Sequence, residues 1–534
     1  NKFLLNEEQK KSLYFLRKIG KNYNVTVLEG VTGSGKTLVY FERIKDVIEK
    51  DLQALILLPE IALTAQFSRR FKEFFGTEPA IWHSATSKKN KSIIWKGVTV
   101  GKIKIVIGAR SSLFLPFKKL GIIVVDEEHD GSYKQDEGVS YNARDMAITR
   151  ASIENIPITL VTSIPSIETY NNIVSKKYYL TKLDKRYKEA SLPKIEIINL
   201  HSETLKKECW VADKTISKVN DYLNKGDQVL FFLNRRGYAP FVVCKKCGHK
   251  FQCPNCAINL NFHKKINKLL CHYCGHKSSL SRVCKDDKKC DLLFCGPGVE
   301  RIFSELKKIY PNKKIEIFSS DSLEKNKSTG KLFKEVEKKK IDILVGTQLL
   351  SKGFHFPKLN CIVVVDADFS SHGYDLRSAE KNVQLYHQLA GRAGREGNLS
   401  SIYFQTYTPD DEVLLNVSKN NPEEFLKKEL LLRKEKKLPP FYRLISLVIS
   451  GKNELTIMKF ATNIKFQLPK INEVNILGPV LAPITRLRQK YRCRILIRYP
   501  KNLFIQKYLS QSLNKIKKTS GIKLEVDVDP VNFS

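Results

Sequence analysis

Eight consecutive residues, Gly30-Val31-Thr32-Gly33-Ser34-Gly35-Lys36-Thr37, fit G-x-x-x-x-G-K-[ST] without a mismatch. Such a run can hold a phosphate chain. Its glycines let backbone N–H groups turn inward, and a helix starting there adds partial positive charge. Lys36 then reaches the β- and γ-phosphates, and the Thr37 hydroxyl faces Mg²⁺. Downstream, Asp126-Glu127-Glu128-His129 offers the acids that hydrolysis needs. Asp126 can hold the cation and Glu127 can polarise the attacking water. A third set is Gln388-Leu389-Ala390-Gly391-Arg392-Ala393-Gly394-Arg395. Arg392 and Arg395 share one face of a helix or turn and carry the planar, permanently charged group suited to a transferring phosphoryl. The small residues between them permit two domains to approach closely.

A different chemistry is concentrated between Cys209 and Cys295, where ten of the twelve cysteines lie. Cys244 and Cys247, Cys253 and Cys256, and Cys271 and Cys274 are C-x-x-C pairs, each placing two thiolates on one tight turn as in a zinc knuckle. Cys284, Cys290 and Cys295 follow. Tetrahedral sulfur suits an iron–sulfur cluster as well as zinc. His249, His263, His272 and His276 crowd the block as neighbours or substitute ligands.

Residues this far apart need a rigid frame to meet. Short apolar runs at 25–28, 54–58, 103–107, 121–125 and 158–161 alternate with helix-period stretches, which implies a largely parallel sheet covered on both faces. The Gly30 loop sits at a strand-to-helix junction, and Asp126 at the C-terminal end of a strand, where such sheets bind ligands. A second alternating run has strands at 228–233, 314–318, 341–345, 361–365 and 401–405. The expected units are 1–200, 201–420 with the cysteine block 244–295 inserted, and a mixed α/β unit over 421–534. A formal charge of +37 suits a polyanionic partner, although the basic residues are spread and the Lys, Ile and Asn bias also fits a compositional origin. No apolar run approaches the ~20 residues of a membrane span. The N-terminus lacks a basic-then-apolar leader, so a cytoplasmic location is expected. In such a compartment the cysteines point to metal rather than disulfides. The chain starts without an initiator methionine, which leaves room for residues upstream.

In this order across two α/β units, the phosphate loop, the DEEH box and the QxxGRxGR box resemble the two-lobed helicases of superfamily two. The stretches "LNEEQ", "LLPEIALTAQ", "IVIGARSSLFLPF", "DEEHDGSYKQDEGVSYNARD", "FFLNRRGYAPF", "VGTQLLSKGFHFP" and "DLRSAEKNVQLYHQLAGRAGR" are similar to the primosomal replication-restart helicases. That resemblance implies two RecA-like lobes, a zinc-binding insertion and a C-terminal α/β domain. It also implies an ATP-dependent 3′–5′ DNA helicase or translocase that restarts stalled forks and initiates primosome assembly. The implied cofactors are ATP, Mg²⁺ and two Zn²⁺; the partners are forked and single-stranded DNA, primosome proteins and single-strand-binding protein, with the chain a monomer off the membrane. The family's N-terminal DNA 3′-end-binding and winged-helix domains are expected to be absent from these residues.

Residue roles follow from the same resemblance. Gln9 would contact adenine, and Gln388 would join Lys36, Asp126, Glu127, Arg392 and Arg395 in catalysis. Glu60, Thr64, Arg110 and Ser111 would line the single-strand path. Tyr133, Tyr141 and Arg144 would belong to an aromatic-rich loop that couples DNA contact to hydrolysis. Asn234, Arg235, Arg236, Gly346, Thr347, Gln348, Lys352 and Gly353 would grip the backbone. One zinc would take Cys244, Cys247, Cys284 and Cys290, with Cys290 replacing a cysteine where this chain has Asp287; the other would take Cys253, Cys256, Cys271 and Cys274. The third motif departs from the family: where the family carries Ser-Ala-Thr-Pro this chain reads Thr162-Ser163-Ile164-Pro165, so Ile164 replaces a hydroxyl and coupling of ATP to unwinding is in question; Ala62 for Gly is milder. A fork-binding platform with a weakly coupled ATPase and an RNA-directed helicase are the alternatives.

Overall fold

Parallel strands buried on both faces need unbroken apolar runs, and the first part of the chain supplies them. In spatial order, strands Ala80–Trp82, Ile105–Gly108, Gln53–Leu57, Leu120–Asp126, Pro157–Thr162, Asn24–Gly30 and Tyr179–Leu183 form one parallel sheet. Side chains alternate between its faces. Leu55, Leu57, Ile123 and Val125 pack with Ile94 and Val98 of one helix and Ala143 and Ala147 of another. Ala54, Ile56, Ile122 and Val124 pack with Leu13, Tyr40, Ile44 and Phe71 from the helices Glu7–Ile19, Lys36–Ile48 and Ala65–Phe75. The edge strands 80–82 and 179–183 go beyond the five expected; short and partly exposed, they carry a weak apolar signal.

This computed structural model describes residues 3–531 except 21, 60–64, 137, 187–191, 204, 206–208, 235–241, 247, 255–258, 264–267, 272–274, 281–290, 294–297, 319–334, 336–339, 348–357, 370–374, 395–398, 488 and 518.

A second parallel sheet runs Lys194–Asn199, Ser401–Thr406, Leu359–Val364, Gln228–Phe232, Ile343–Gly346, Ile315–Phe318. Its first strand lies before the expected boundary at 200, because Lys194–Asn199 pairs with Ser401–Thr406. A short amphipathic run of this kind reads alike at the edge of either sheet. The C-terminal unit is an antiparallel sheet ordered Asn475–Leu487, Lys490–Pro500, Tyr442–Gly451, Ile522–Val528. Helices Glu454–Gln467 and Gln506–Lys515 cover one face. The other face meets the cysteine block, where Val242, Cys253, Leu260, Leu269 and Cys271 share a core with Leu444 and Leu496. Among the described residues no helix is long and apolar enough to cross a membrane.

Candidate nucleotide site between the lobes

The phosphate loop turns through Gly33 (φ 89°) and Gly35 (φ 83°), a left-handed backbone that a side chain would strain. Lys36 Nζ folds back over it, 2.6 Å from the Gly30 carbonyl and 3.4 Å from that of Val31. Burial pulls the Lys36 pKa down, and the charges of Glu127, Asp126 and Glu29 resist that pull. Gln9 is fully buried. Its Nε2 donates to the Ser34 carbonyl at 2.8 Å, and its Oε1 accepts from the Asn6 N–H at 2.9 Å in a capping box. A Cβ on Gly35 would stand 2.3 Å from Gln9 Nε2, so the first helix braces the loop from behind.

Asp126 ends its strand with Oδ2 accepting from Tyr40 OH at 3.0 Å and Oδ1 accepting from the Glu127 N–H at 2.9 Å. Burial, reinforced by the Glu127 charge and opposed by Lys36, pushes the Asp126 pKa up to about 6. Glu127 itself adopts φ 50°. Beyond it the Thr162 hydroxyl donates to the Ile164 carbonyl at 2.7 Å and lies 2.8 Å from His129 Nδ1. A hydroxyl already donating can only accept here, so the His129 proton sits on Nδ1 and Nε2 is an acceptor. Gln388 Nε2, from the second lobe, lies 2.9 Å from His129 Nε2 and 3.3 Å from Glu127 Oε2. A continuous polar chain therefore runs from the third motif to the acid that would handle water.

The turn after the helix Ser378–Ala390 completes the contact. A Cβ on Gly391 would lie 2.1 Å from Thr32 Cβ, so the second lobe touches the phosphate loop through bare backbone. Burial lowers the Arg392 pKa and the nearby Glu127 charge resists that. Arg186 donates to the carbonyls of Ala390 at 2.9 Å and Ala393 at 3.3 Å, a cation at a helix C-terminus. Sequence reasoning missed Arg186 and Tyr40, which sit in no spacing that marks them. Arg395 lies outside the described residues.

Ile164 explains the altered third motif. Its side chain is 2% exposed and shares a core with Ile167 and Tyr170 of its own lobe and with Leu385, Leu389 and Ala393 of the other. Ionic contacts surround that core: Arg377 grips Glu168 through two bonds of 2.9 and 2.7 Å, and Glu380 accepts from the Ile167 N–H at 2.9 Å and from Arg433 at 2.9 Å. Burial alone would raise the Glu168 pKa, but Arg377 holds it well below the carboxylate range. Glu128 ties the acidic turn to the same region, accepting from Ser166 N–H at 2.7 Å and Arg144 at 3.0 Å.

The residues expected along a strand path are arranged otherwise than expected in part. Tyr133 is buried, its hydroxyl 3.0 Å from the Leu57 carbonyl and 2.5 Å from that of Asp126, so it is a strut and has no face for a base. Arg144 is buried against Glu128 and Asp145. Asn234 spends its amide inside the second lobe, donating to Asn382 at 2.9 Å. Tyr141 is half-buried and meets Phe114 edge-on at 5.4 Å; Arg110 donates to the Lys134 carbonyl at 2.9 Å. Gly346 ends the strand Ile343–Gly346 and Thr347 follows it. Glu60, Thr64, Arg235, Arg236, Gln348, Lys352 and Gly353 lie outside the described residues.

In the cysteine block, two turns repeat one pattern. Gly248 N–H donates to the Cys244 carbonyl at 2.8 Å and Gly275 N–H to that of Cys271 at 2.9 Å, with φ 68° and 83°. Cys244, Cys253 and Cys271 are buried. A buried cysteine opening a C-x-x-C-G turn of this kind is a donor arrangement that suits zinc. Cys247, Cys256, Cys274, Cys284 and Cys290 lie outside the described residues.

Comparison with known proteins extends along the chain. Residues 8–167 match the DEAD/DEAH box helicase model and 275–397 the helicase conserved C-terminal domain. Residues 253–278 match the PriA DNA helicase Cys-rich region (CRR) domain, and 434–531 the primosomal protein N C-terminal domain. The chain is 45% identical over 530 residues to the replication restart protein PriA of Rickettsia felis, spanning 99% of this chain and 81% of that protein. The protein of the same name from Haemophilus influenzae is 34% identical over 538 residues, 100% of this chain and 73% of its own length.

Proposed function

The chain belongs to the family of PriA replication restart proteins, and on that premise we propose that it is an ATP-dependent DNA helicase of replication restart whose hydrolytic site is divided between two lobes. The observation that carries the reading is Gln388, a second-lobe side chain hydrogen-bonded to both Glu127 and His129 of the first. Gly30, Val31, Thr32, Gly33, Ser34 and Gly35 cradle the phosphates and Lys36 neutralises them. Gln9 braces the cradle through Ser34, and the adenine contact that the family pattern gives it would require that amide to turn from Ser34 or Asn6. Thr37 and Asp126 would hold Mg²⁺, which would supply charge compensation to the phosphate chain. Glu127 takes the proton of the attacking water, Gln388 aims it, and Arg392 and Arg395 meet the charge that develops on the phosphoryl group. Closing and opening of the interface then moves a single strand, 3′ to 5′ on the family pattern.

Zinc completes the reading of the insertion, with two ions held by Cys244, Cys247, Cys284 and Cys290 and by Cys253, Cys256, Cys271 and Cys274. The units proposed are a first lobe to about 200, a second lobe to about 420 with 244–295 inserted, and a C-terminal domain; the pairing of Lys194–Asn199 with Ser401–Thr406 supports counting those last residues with the second lobe. Primosome proteins and single-strand-binding protein are the proposed partners of a cytoplasmic monomer.

ATPase and strand-displacement assays on forked DNA test this. Lys36→Ala is expected to abolish hydrolysis, and persistent hydrolysis would sink the site assignment. DNA-stimulated hydrolysis by the wild type without displacement would leave only a fork-binding platform. Metal analysis of Cys290→Ser is expected to show one of two zincs lost; two retained would remove Cys290 from the ligands.

A further inference from the structure

From Pro79 to Val125 the chain contains no acidic residue, but it contains eight lysines and Arg110. Within the segment itself the charge excess has no acidic counterpart, and Lys104 finds one outside it, pairing with Asp51 at 2.6 Å. The helix Lys88–Thr99 starts in this segment, just past the C-terminal end of the strand Ala80–Trp82. Lys88, Lys91 and Trp95 recur at helical spacing along one stripe of it. Trp95 is 47% exposed, and its ring lies 6.4 Å from that of Trp82, tilted by 41°. Lys91 Nζ stands 5.8 Å from the Trp82 ring centroid. Trp82 Nε1 in turn donates to Ser111 Oγ at 3.2 Å. Ser111 lies in the turn Arg110–Phe114, whose Phe114 is 54% exposed and meets Tyr141.

These groups form one band, Trp95, Trp82, Ser111, Phe114 and Tyr141, over the strand ends where parallel sheets bind ligands. Exposed indole cannot be explained as core, and no acid in the segment opposes a phosphate backbone. We propose that Trp95 and Trp82, flanked by Lys88 and Lys91, are a base-stacking ledge for single-stranded DNA that lengthens the strand path across the first lobe. Aromatic faces accept any base, and the adjacent ammonium groups track the phosphates. The proposal rests on the reading of the chain as a DNA helicase.

Tryptophan fluorescence and binding isotherms on the full chain, with oligothymidylate and an abasic strand of equal length, test it. Oligothymidylate is expected to quench a signal that Trp95→Ser reduces to the share of Trp82, whereas Trp210, in the second lobe, remains as background. Trp95→Ser is expected to weaken oligothymidylate binding about five-fold or more, the loss of one stacked base, and to leave abasic-strand binding unchanged. Trp95→Phe is expected to restore most of the affinity. Unchanged oligothymidylate binding by Trp95→Ser, or equal loss for both strands, overturns the ledge. Failure of the wild type to bind either strand overturns the helicase reading instead. A change in sedimentation of the DNA-free chain on Trp95→Ser would assign the ledge to a second copy and overturn the proposal as well.

Discussion

At the scale of single residues, Asp126 is the most exposed to conditions. Its pKa is raised to about 6 by burial and by the Glu127 charge, so without metal the carboxyl keeps its proton to a higher pH in the fold than in the unfolded chain. A folded-state pKa above the ordinary value contributes stability below pH ~4, and that contribution is lost as the pH rises through about 6. Metal binding runs the other way, because the cation needs the carboxylate. The Mg²⁺ concentration for half-maximal hydrolysis is expected to rise about tenfold per pH unit below about 6, as one displaced proton per ion requires. A flat Mg²⁺ requirement between pH 5 and 7, measured at saturating ATP, would remove Asp126 as the ligand. Ile164 carries a stability prediction: Ile164→Ala should cost about 2–5 kcal/mol by opening a cavity between the lobes, read as a lower denaturation midpoint. Asp126 and Lys36 were legible because phosphate chemistry admits few residue types at fixed spacing. Ile164 was legible only as a departure, since its use as an apolar anchor depends on a surface more than two hundred residues away.

At the scale of elements, the hairpin formed by strands Lys134–Gln135 and Tyr141–Asn142 is anchored outside its own lobe. Lys134 Nζ is buried, donating to the Val528 carbonyl at 2.7 Å and pairing with Asp527 at 2.6 Å. Ser140 donates to the same Asp527 at 2.7 Å. The last strand of the C-terminal domain thus holds the loop that joins Asp126 to Tyr141. Asp527→Asn weakens the grip without touching either lobe. Faster amide exchange over 134–142 is the expected result, with a several-fold smaller stimulation of ATPase by DNA and an unchanged DNA-free rate. Undiminished stimulation despite faster exchange would show that the anchor plays no part in coupling. Aromatic residues made this loop look like a stacking platform, yet Tyr133 turned inward. Sequence spacing cannot tell a tyrosine that stacks from one whose hydroxyl closes a strand end.

At the scale of the whole molecule, the two lobes meet without a gap at Gly391 and Thr32. Gly391→Ala puts a methyl where Thr32 already stands, so the lobes must separate. ATPase activity is expected to fall at least tenfold with each lobe still folded, a loss of about 1.4 kcal/mol or more in transition-state stabilisation. Thr32→Gly in the same chain should recover part of it. No recovery, with intact circular dichroism, would show that the methyl acts locally on the turn. Glu168, Arg377, Glu380 and Arg433 make the closed arrangement specific: Arg377 reaches Glu168 across the lobes, and Arg433, besides Glu429 of its own helix Pro422–Glu435, reaches Glu380 of the second lobe.

The sequence by itself determined the chemistry at each point: phosphate loop, acidic turn, paired cysteines and arginines, each constrained by bonding geometry over a few residues. It also determined the α/β class, because apolar runs of strand length alternate with helical periods. Only the tertiary structure decided which of these points meet. The contacts of Gln388 with Glu127, Arg186 with Ala390 and Lys134 with Asp527, and the core that Ile164 shares with Leu389, all join distant segments. Their energies depend on burial and complementary shape at a surface that exists only after both lobes have folded.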